Sequence, residues 1–197
     1  MIGQRKKWVQ GMTTNPLSVF LYLAAEAYRK TEVPEALDVA NRIIAHAAVP
    51  VGQRPKPAIF SHLAEALAAK DAHPAIATLV DVIEDLPWIE TSFGATAYLI
   101  GSGVHNPFDS MWFGLMLQKP ETFYRSHSHA PEELYFVLSG TAEWQKGIGA
   151  PFAPKPPGSL IVHRSNEAHA MLTNTAPLLA MWTWFGDLDW DSYELLE

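Results

Sequence analysis

The chain contains no cysteine, so disulfide bonds, thiolate metal sites and cysteine nucleophiles are excluded. Basic residues are few, because 14 Lys and Arg stand against 21 Asp and Glu, and the net charge of −7 argues against a nucleic-acid partner. The apolar runs are too short to cross a bilayer, so we expect no membrane partner. What is present is a chain of 197 residues that is 48% hydrophobic and 18% charged, a composition typical of a folded domain with a sizeable core.

The first residues combine a basic stretch with an apolar one. Residues 5–7 are Arg-Lys-Lys and precede an apolar run at residues 17–25, which is also the pattern of a secretory signal. The apolar positions of that run follow helical spacing, however, and Asn15-Pro16 is an N-cap followed by proline at the first helical position. We therefore predict a flexible leader over residues 1–14, then a core helix, in a cytoplasmic protein; a secretory signal is the alternative.

The remainder divides into a helical part and a β part. Residues 15–93 are predicted to form a helical N-terminal extension, with further helices over residues 34–48, 58–69 and 74–86. After Trp88 the sequence changes to short alternating or aromatic-rich stretches separated by turn residues, which are typical of a sandwich or small barrel. The predicted strands are residues 96–100, 111–117, 133–138, 160–163, 168–173 and 178–185. The fold class is therefore mainly β, with the helices packed on a β domain over residues 94–197.

Polar side chains of one kind concentrate in the β part. His127, His129, Glu133 and Tyr135 are all odd-numbered, so on an extended strand whose turns preserve parity they point to one face. Such a face is costly to bury unless a ligand binds it, and imidazole with carboxylate suits a divalent cation such as Zn²⁺, Fe²⁺ or Mn²⁺. We expect a fourth ligand from another strand, for which His169 is the candidate. The alternative is a pair of solvent-facing histidines on an edge strand.

Three other features are predicted to lie outside this site. His163 falls at a strand end and is expected at the surface, with a position behind the metal ligands as the alternative. Residues 147–158 are rich in proline and glycine and are expected to form a surface loop. The last residues, 193–196, show a short helical period.

The spacing of the cluster resembles the first motif of the cupin superfamily. His127-x-His129-x3-Glu133-x6-Gly140 follows the cupin pattern H-x-H-x3-E-x6-G, with Glu121 in place of the leading glycine. The second cupin motif is present in degraded form, beginning at Gly158 and ending in a histidine at His169, and Asn166 stands in place of a glycine. The resemblance implies a single jelly-roll barrel with one metal ion inside it.

A finer resemblance is to the cupin-type dimethylsulfoniopropionate (DMSP) lyases of the Q type. Their signature is a tyrosine shortly before H-x-H-x3-E-x-Y and a later histidine, and the matching positions here are Tyr124, His127, His129, Glu133, Tyr135 and His169. The resemblance implies a divalent metal ion held by His129, Glu133, His169 and often Tyr135, with His127 alongside. It also implies a tyrosine base, either Tyr124 or Tyr135, that cleaves DMSP to acrylate and dimethyl sulfide by β-elimination.

The cationic end of such a substrate requires aromatic faces. Trp182 and Trp184 share one face of the last predicted strand, and with Tyr135 they are the predicted substrate-binding residues. The predicted partner is thus DMSP or a similar small carboxylate. Two other functions remain open: another metal-dependent cupin enzyme, an Fe(II) dioxygenase or an isomerase of a small polar acid, and a non-catalytic small-molecule-binding cupin. The helices either cover one mouth of the barrel or form the interface of a homodimer.

Overall fold

A computed structural model describes residues 16–46, 60–101 and 111–196 of the chain. Within these ranges three α-helices precede the strands: α1 (Pro16–Arg29), α2 (Pro34–His46) and α3 (Phe60–Leu67). Proline stands at the first position of both α1 and α2, where its missing N–H removes no helical hydrogen bond. Among the described residues, no helix combines the length and apolar character that a membrane crossing requires. The predicted leader over residues 1–14 and the ends of two predicted helices, residues 47–48 and 58–59, lie outside the described residues.

The predicted core helix after Pro16 is confirmed as α1. Its buried side chains recur at helical spacing, from Phe20 and Leu21 through Ala24 to Tyr28, and they form one apolar face. The helix predicted over residues 74–86 is wrong, because two short 3₁₀ turns, Pro74–Thr78 and Ile83–Asp85, replace it. The β-branched residues of this stretch favour the helix less than the leucines and alanines of α1 do.

In the part of the chain that the structure describes, eleven strands follow the helices and form two antiparallel sheets. The six-stranded sheet has the order β1-β2-β3-β10-β5-β8, and the five-stranded sheet has the order β11-β4-β9-β6-β7. The strands are β1 (Trp88–Glu90), β2 (Gly94–Ile100), β3 (Met111–Gln118), β4 (Thr122–Ser128), β5 (Glu132–Ser139), β6 (Ala142–Lys146), β7 (Ala153–Lys155), β8 (Leu160–His163), β9 (His169–Thr173), β10 (Leu178–Phe185) and β11 (Glu194–Leu195). The predicted mainly β fold, a jelly-roll barrel after a helical segment, is confirmed.

One prediction for the β part holds only in part, and another is wrong. The expected loop over residues 147–158 contains the short strand β7, whose Pro154 is tolerated because β7 lies at the edge of its sheet. The expected helical period at residues 193–196 is instead β11, which pairs with β4 after a 3₁₀ turn at Trp190–Ser192. Strand pairing with β4 thus overrides the local helical pattern.

Two apolar cores lie on opposite faces of the six-stranded sheet. The larger core lies between the helices and this sheet, and it contains Phe20, Ile43, Phe113, Phe136 and Met181. The smaller core lies within the barrel, and its members include Tyr135, Trp144, Met171, Trp182 and Trp184. The alternation of β5 and β10 therefore directs one set of side chains to the helices and the other set into the barrel.

The two positions that depart from the cupin glycines keep the backbone conformation that glycine favours. Glu121, between β3 and β4, has φ of 51°, and Asn166, between β8 and β9, has φ of 59°. Both values lie in the left-handed region, which glycine enters without steric strain and asparagine more easily than glutamate. Gly140 shows the same requirement, because its φ is 76° and an added Cβ would lie 2.0 Å from the Pro177 carbonyl oxygen. The turns of the motif are therefore preserved even where the glycines are not.

Candidate active site

The four predicted metal ligands lie on neighbouring segments of the barrel. His127 is on β4, His129 is in the loop that follows it, and Glu133 is on β5. His169 begins β9 and pairs directly with His127 across the five-stranded sheet. All four side chains are buried. The structure therefore brings together the residues that the sequence pattern selected, because the loop between β4 and β5 preserves their parity.

The distances within this cluster are short enough for a shared ligand. His127, His129 and His169 each offer a ring nitrogen, and these atoms lie within 4.8 Å of one another. Oε2 of Glu133 lies 3.2 Å from Nε2 of His129 and 3.1 Å from Nε2 of His169. One carboxylate oxygen thus contacts two imidazoles at once.

Backbone carbonyls orient the three imidazoles in the same way. His127 donates its Nδ1–H to the Arg125 carbonyl at 2.8 Å, and His129 donates its Nδ1–H to the Pro131 carbonyl at 2.9 Å. His169 donates its Nδ1–H to the Glu167 carbonyl at 2.8 Å. In a neutral imidazole, a proton on Nδ1 leaves a lone pair on Nε2, which is the arrangement that metal-binding histidines adopt.

The carboxylate and the Nε2 lone pairs need positive charge between them. Nε2 of His169 is buried and makes no hydrogen bond to any described residue, although Oε2 of Glu133 is close to it. A buried carboxylate facing imidazole lone pairs is unfavourable unless a proton or a metal cation neutralises it. The donor set of nitrogen and carboxylate oxygen fits a divalent cation.

The shifts of pKa in the cluster follow from the same contacts. Burial alone would raise the pKa of Glu133, but the hydrogen bond of His129 and the close contacts and charges of His129 and His169 outweigh it and hold that pKa well below its usual value. Burial would lower the pKa of His129, but the Glu133 carboxylate raises it. Burial, followed by the nearby His169, lowers the pKa of His127 to about 3. A proton on His129 therefore occupies the place that a cation would take.

Tyr135, one of the two predicted bases, is buried two residues after Glu133 on β5. Its ring packs 5.6 Å from that of Trp144, and it lines the same pocket as Glu133. Burial and then the negative charge of Glu133 raise the pKa of Tyr135 well above its usual value. The phenol is therefore neutral unless positive charge lies nearby.

Tyr124, the other predicted base, reaches the pocket through a β-bulge. Its parity is opposite to that of His127, but the pairing of β4 with β9 shifts between Tyr124 and His127, and this extra residue turns both side chains to one face. The Tyr124 ring stacks 4.3 Å from that of His127 and 4.2 Å from that of Phe93. Burial, followed by the neighbouring Tyr193, raises the pKa of Tyr124 well above its usual value.

Aromatic side chains form most of the pocket beside the cluster. Trp182 and Trp184 both face it, as the alternation of β10 predicts, and Trp184 donates its Nε1–H to Oε1 of Glu133 at 2.7 Å. Among the described residues, no lysine or arginine lines this pocket. The lining residues are Thr91, Phe93, Thr96, Tyr98, Met116, Tyr124, His127, Glu133, Tyr135, Trp182, Trp184, Trp190 and Tyr193.

Trp190 and Tyr193 are among the pocket residues that the sequence did not predict. Trp190 stacks over Trp112 and Trp184 at centroid distances of 6.2 and 5.2 Å, and Tyr193 lies 5.2 Å from the His127 ring. Both belong to the C-terminal segment. Two aromatic residues three positions apart near the chain end were the available signal, but the pattern does not show that the segment returns to β4.

The predicted surface position of His163 is wrong. Its side chain is fully buried and stacks on His169 with centroids 3.9 Å apart and ring planes at 12°. Burial, followed by the charge of His169, lowers the pKa of His163 to about 2, so the ring is neutral. Neither ring nitrogen forms a hydrogen bond with any residue that the structure describes. Its shared parity with Ile161, which also points into the barrel, was the signal for this burial.

The sequence matches a known enzyme family over most of its length. A sequence model of the dimethylsulfoniopropionate lyase family matches residues 34–180, which is more than half of the chain. The dimethylsulfoniopropionate lyase DddQ of Ruegeria pomeroyi is 35% identical over 91 residues. That alignment covers 46% of this chain and 45% of the relative, so the match spans less than half of the length of DddQ.

Solved structures of similar proteins extend the comparison to the whole fold. A crystal structure from a study of the DMSP lyases RdDddP and RnDddQII matches with a TM-score of 0.66 and 25% identity, covering 92% of this chain and 98% of that one. The DMSP lyase DddQ from Ruegeria pomeroyi DSS-3 matches with a TM-score of 0.57 and 24% identity, covering 86% and 96%. The second likeness concerns the fold alone.

Proposed function

The chain belongs to the dimethylsulfoniopropionate lyase family, and from this premise we propose that it is a metal-dependent carbon–sulfur lyase that cleaves DMSP to acrylate and dimethyl sulfide. In this β-elimination a base removes a proton from the carbon next to the carboxylate. The electron pair of that C–H bond forms the C=C bond, the C–S bond breaks, and dimethyl sulfide leaves as a neutral thioether. The leaving group needs no acid, so the residues must bind the zwitterion and accept one proton.

The single observation that carries the proposal is the convergence of the buried side chains of His127, His129, His169 and Glu133 beside a pocket lined by aromatic rings. These four residues would hold the metal ion, which we expect to be Zn²⁺, Fe²⁺ or Mn²⁺. When bound, a divalent cation polarises a substrate carboxylate and lowers the pKa of a nearby phenol.

The proton would go to a tyrosine oxygen. Tyr135 and Tyr124 both line the pocket, and for both the pKa is raised without a cation, so either phenol needs positive charge before it can act as a base. Tyr135 lies on the same face of β5 as Glu133, whereas Tyr124 stacks on His127. We propose that one of these two tyrosines is the base, and substitution of each tyrosine identifies which one.

The sulfonium end would lie against aromatic faces. Trp182 and Trp184 meet at 6.3 Å with their rings at 77°, and Tyr135 lines the same cavity. A sulfonium cation is attracted to such faces by the ring quadrupoles, and burial strengthens the attraction. We propose that these three residues bind the cationic end of the substrate.

Headspace gas chromatography of dimethyl sulfide tests the proposed function. Purified protein loaded with Zn²⁺, Fe²⁺ or Mn²⁺ should release dimethyl sulfide from DMSP, and a chelator should abolish the release. Glu132→Gln is a matched control, because Glu132 adjoins Glu133 but bonds Arg164 at the surface, and this variant should remain active. If the protein binds metal but forms no dimethyl sulfide with any of these ions, the lyase proposal is wrong.

Substitution of the tyrosines identifies the base. Tyr135→Phe or Tyr124→Phe should reduce kcat by several orders of magnitude while the metal content stays at the wild-type level. Full activity in both variants would remove tyrosine from the mechanism. The expected cytoplasmic location and homodimer are separate proposals, which cell fractionation and analytical ultracentrifugation test.

A further inference from the structure

The C-terminal segment of residues 189–196, here called the C-terminal strap, is attached to the strand and loop that carry the histidines. β11 pairs with β4 through Glu194 opposite Ser128 and Leu195 opposite His127. The Leu196 N–H donates to the Ser126 carbonyl at 2.8 Å. The strap therefore follows β4 along the stretch that contains His127.

A second attachment fixes the strap next to His129. The Ala130 N–H donates to Oγ of Ser192 at 2.8 Å, and the Asp191 N–H donates to Oδ1 of Asp189 at 3.0 Å. These contacts close the 3₁₀ turn that precedes Tyr193 and hold it against the loop after β4. Tyr193 is thus placed between two anchored points, one on either side of it.

The ring of Tyr193 is held by stacking as well as by the backbone. It stacks on Trp190 with centroids 5.8 Å apart and planes at 14°, and it lies 5.2 Å from the His127 ring. Its hydroxyl is hydrogen-bonded to the hydroxyl of Tyr124 at 3.2 Å. This bond links the strap to one of the two tyrosines proposed as the base.

Ring contacts fix the plane of the Tyr124 ring, but they do not fix the direction of its O–H bond. Phe93 and His127 both stack on the ring and determine its plane. Rotation about the C–O bond still lets the proton and the lone pairs of that oxygen point in several directions. A hydrogen bond from a second, anchored hydroxyl selects one of them.

We propose that Tyr193 is a positioning residue of the lyase reaction, holding the Tyr124 hydroxyl in the orientation that faces the substrate. The role rests on the proposed function, because it is exerted on that reaction through Tyr124. Tyr193→Phe removes only the hydroxyl and keeps the ring that packs against its aromatic neighbours. The hydroxyl alone distinguishes positioning from wall packing.

A double-mutant cycle of Tyr193→Phe, Tyr124→Phe and the double variant tests the proposal in the metal-loaded enzyme. Tyr193→Phe should lower kcat at least tenfold, change KM less than threefold and leave the metal content unchanged. In the Tyr124→Phe background the same substitution should have no further effect on kcat. Tyr22→Phe, on α1, is the matched control and should behave as the wild type.

Chemical denaturation of the same variants gives a reading that does not depend on turnover. If the two hydroxyls bond in solution, each single variant should lower the unfolding midpoint, and the double variant should lower it no further than one single variant. Additive midpoint shifts would overturn the proposal, since the hydroxyls would then act separately.

The kinetic outcomes separate this role from the proposed function. Three outcomes would each overturn the positioning role and leave the lyase activity in place. They are multiplicative losses of kcat in the double variant, an unchanged kcat in Tyr124→Phe or Tyr193→Phe, and a rise in KM that persists without the Tyr124 hydroxyl. A metal-loaded wild type that releases no dimethyl sulfide would overturn the proposed function and this role with it.

Discussion

The two faces of the six-stranded sheet carry different kinds of side chain from the same strands. On β5, Leu134 and Phe136 point towards the helices and enter the larger apolar core, whereas Glu133 and Tyr135 point into the barrel. On β10, Met181 packs on the helix side, whereas Trp182 and Trp184 line the pocket. The side chains of adjacent residues on one strand therefore lie in different environments, one in an apolar core and the next at a charged cluster.

The comparison explains how a buried charged site is kept in a folded protein. Burial of each large apolar side chain contributes roughly 1.5–3 kcal/mol, and the helix-facing side buries many of them. Burial of the Glu133 carboxylate is unfavourable unless a cation or a protonated histidine compensates it. The helix face thus supplies the stability that the pocket face lacks, and the two faces should respond to mutation in different ways.

The largest effect is expected on the pocket face, at Glu133. Glu133→Gln removes the carboxylate that contacts His129 and His169 but keeps the shape of the side chain. Metal affinity and dimethyl sulfide release should each fall by more than about a hundredfold, because even residues behind a metal ligand contribute about 10–100-fold. Metal analysis and headspace chromatography check this, and wild-type metal affinity in the variant would contradict the assignment.

The neighbouring residue on the helix face should behave in the opposite way. Leu134→Ala removes a fully buried side chain from the larger core, and we expect a loss of about 2–5 kcal/mol in the free energy of unfolding. The folded fraction should still bind one metal ion per chain. Urea denaturation measures the free energy of unfolding, and metal analysis measures the bound metal. A loss of metal binding in the folded variant, together with the loss of stability, would show that the two faces are not independent.

A smaller effect is expected for the hydrogen bond that joins α1 to β10. The hydroxyls of Tyr28 and Thr183 lie 3.1 Å apart in the helix-facing core. Tyr28→Phe leaves the Thr183 hydroxyl buried without this partner, which should cost about 1–2 kcal/mol in the free energy of unfolding. Denaturation of the variant measures this, and Tyr22→Phe serves as the control; an unchanged midpoint would show that the bond contributes nothing.

The smallest effect, and one of opposite sign, is expected in a turn that belongs to neither face. Glu121 has a left-handed backbone conformation, so Glu121→Gly should raise the free energy of unfolding by up to about 1 kcal/mol. Thermal unfolding at constant metal concentration tests this expectation. A lower midpoint would mean that the glutamate side chain stabilises the turn more than the strain destabilises it.

The sequence predicted those parts of the site that depend on alternation within a strand. His127, His129, Glu133 and Tyr135 fall on one side because the loop between β4 and β5 preserves their parity. Parity also placed Trp182 and Trp184 in the pocket.

Features that depend on pairing between distant strands could not be predicted from alternation within one strand. The bulge that turns Tyr124 inward appears in the pairing of β4 with β9, and the return of Tyr193 appears in the pairing of β11 with β4. The burial of His163 follows from its position opposite Glu133 across β5 and β8. These contacts join residues far apart in the chain, so alternation within one strand does not reveal them.

The most direct test of the central claim is titration calorimetry of the metal-free protein with Zn²⁺ at different pH values. The account predicts one ion per chain at a pH well above the raised pKa of His129, with proton release on binding. Affinity should fall as the pH drops through that pKa, because the His129 proton then competes with the cation. A folded protein that binds no divalent ion at any pH, or binds it equally well after Glu133→Gln, would contradict the account.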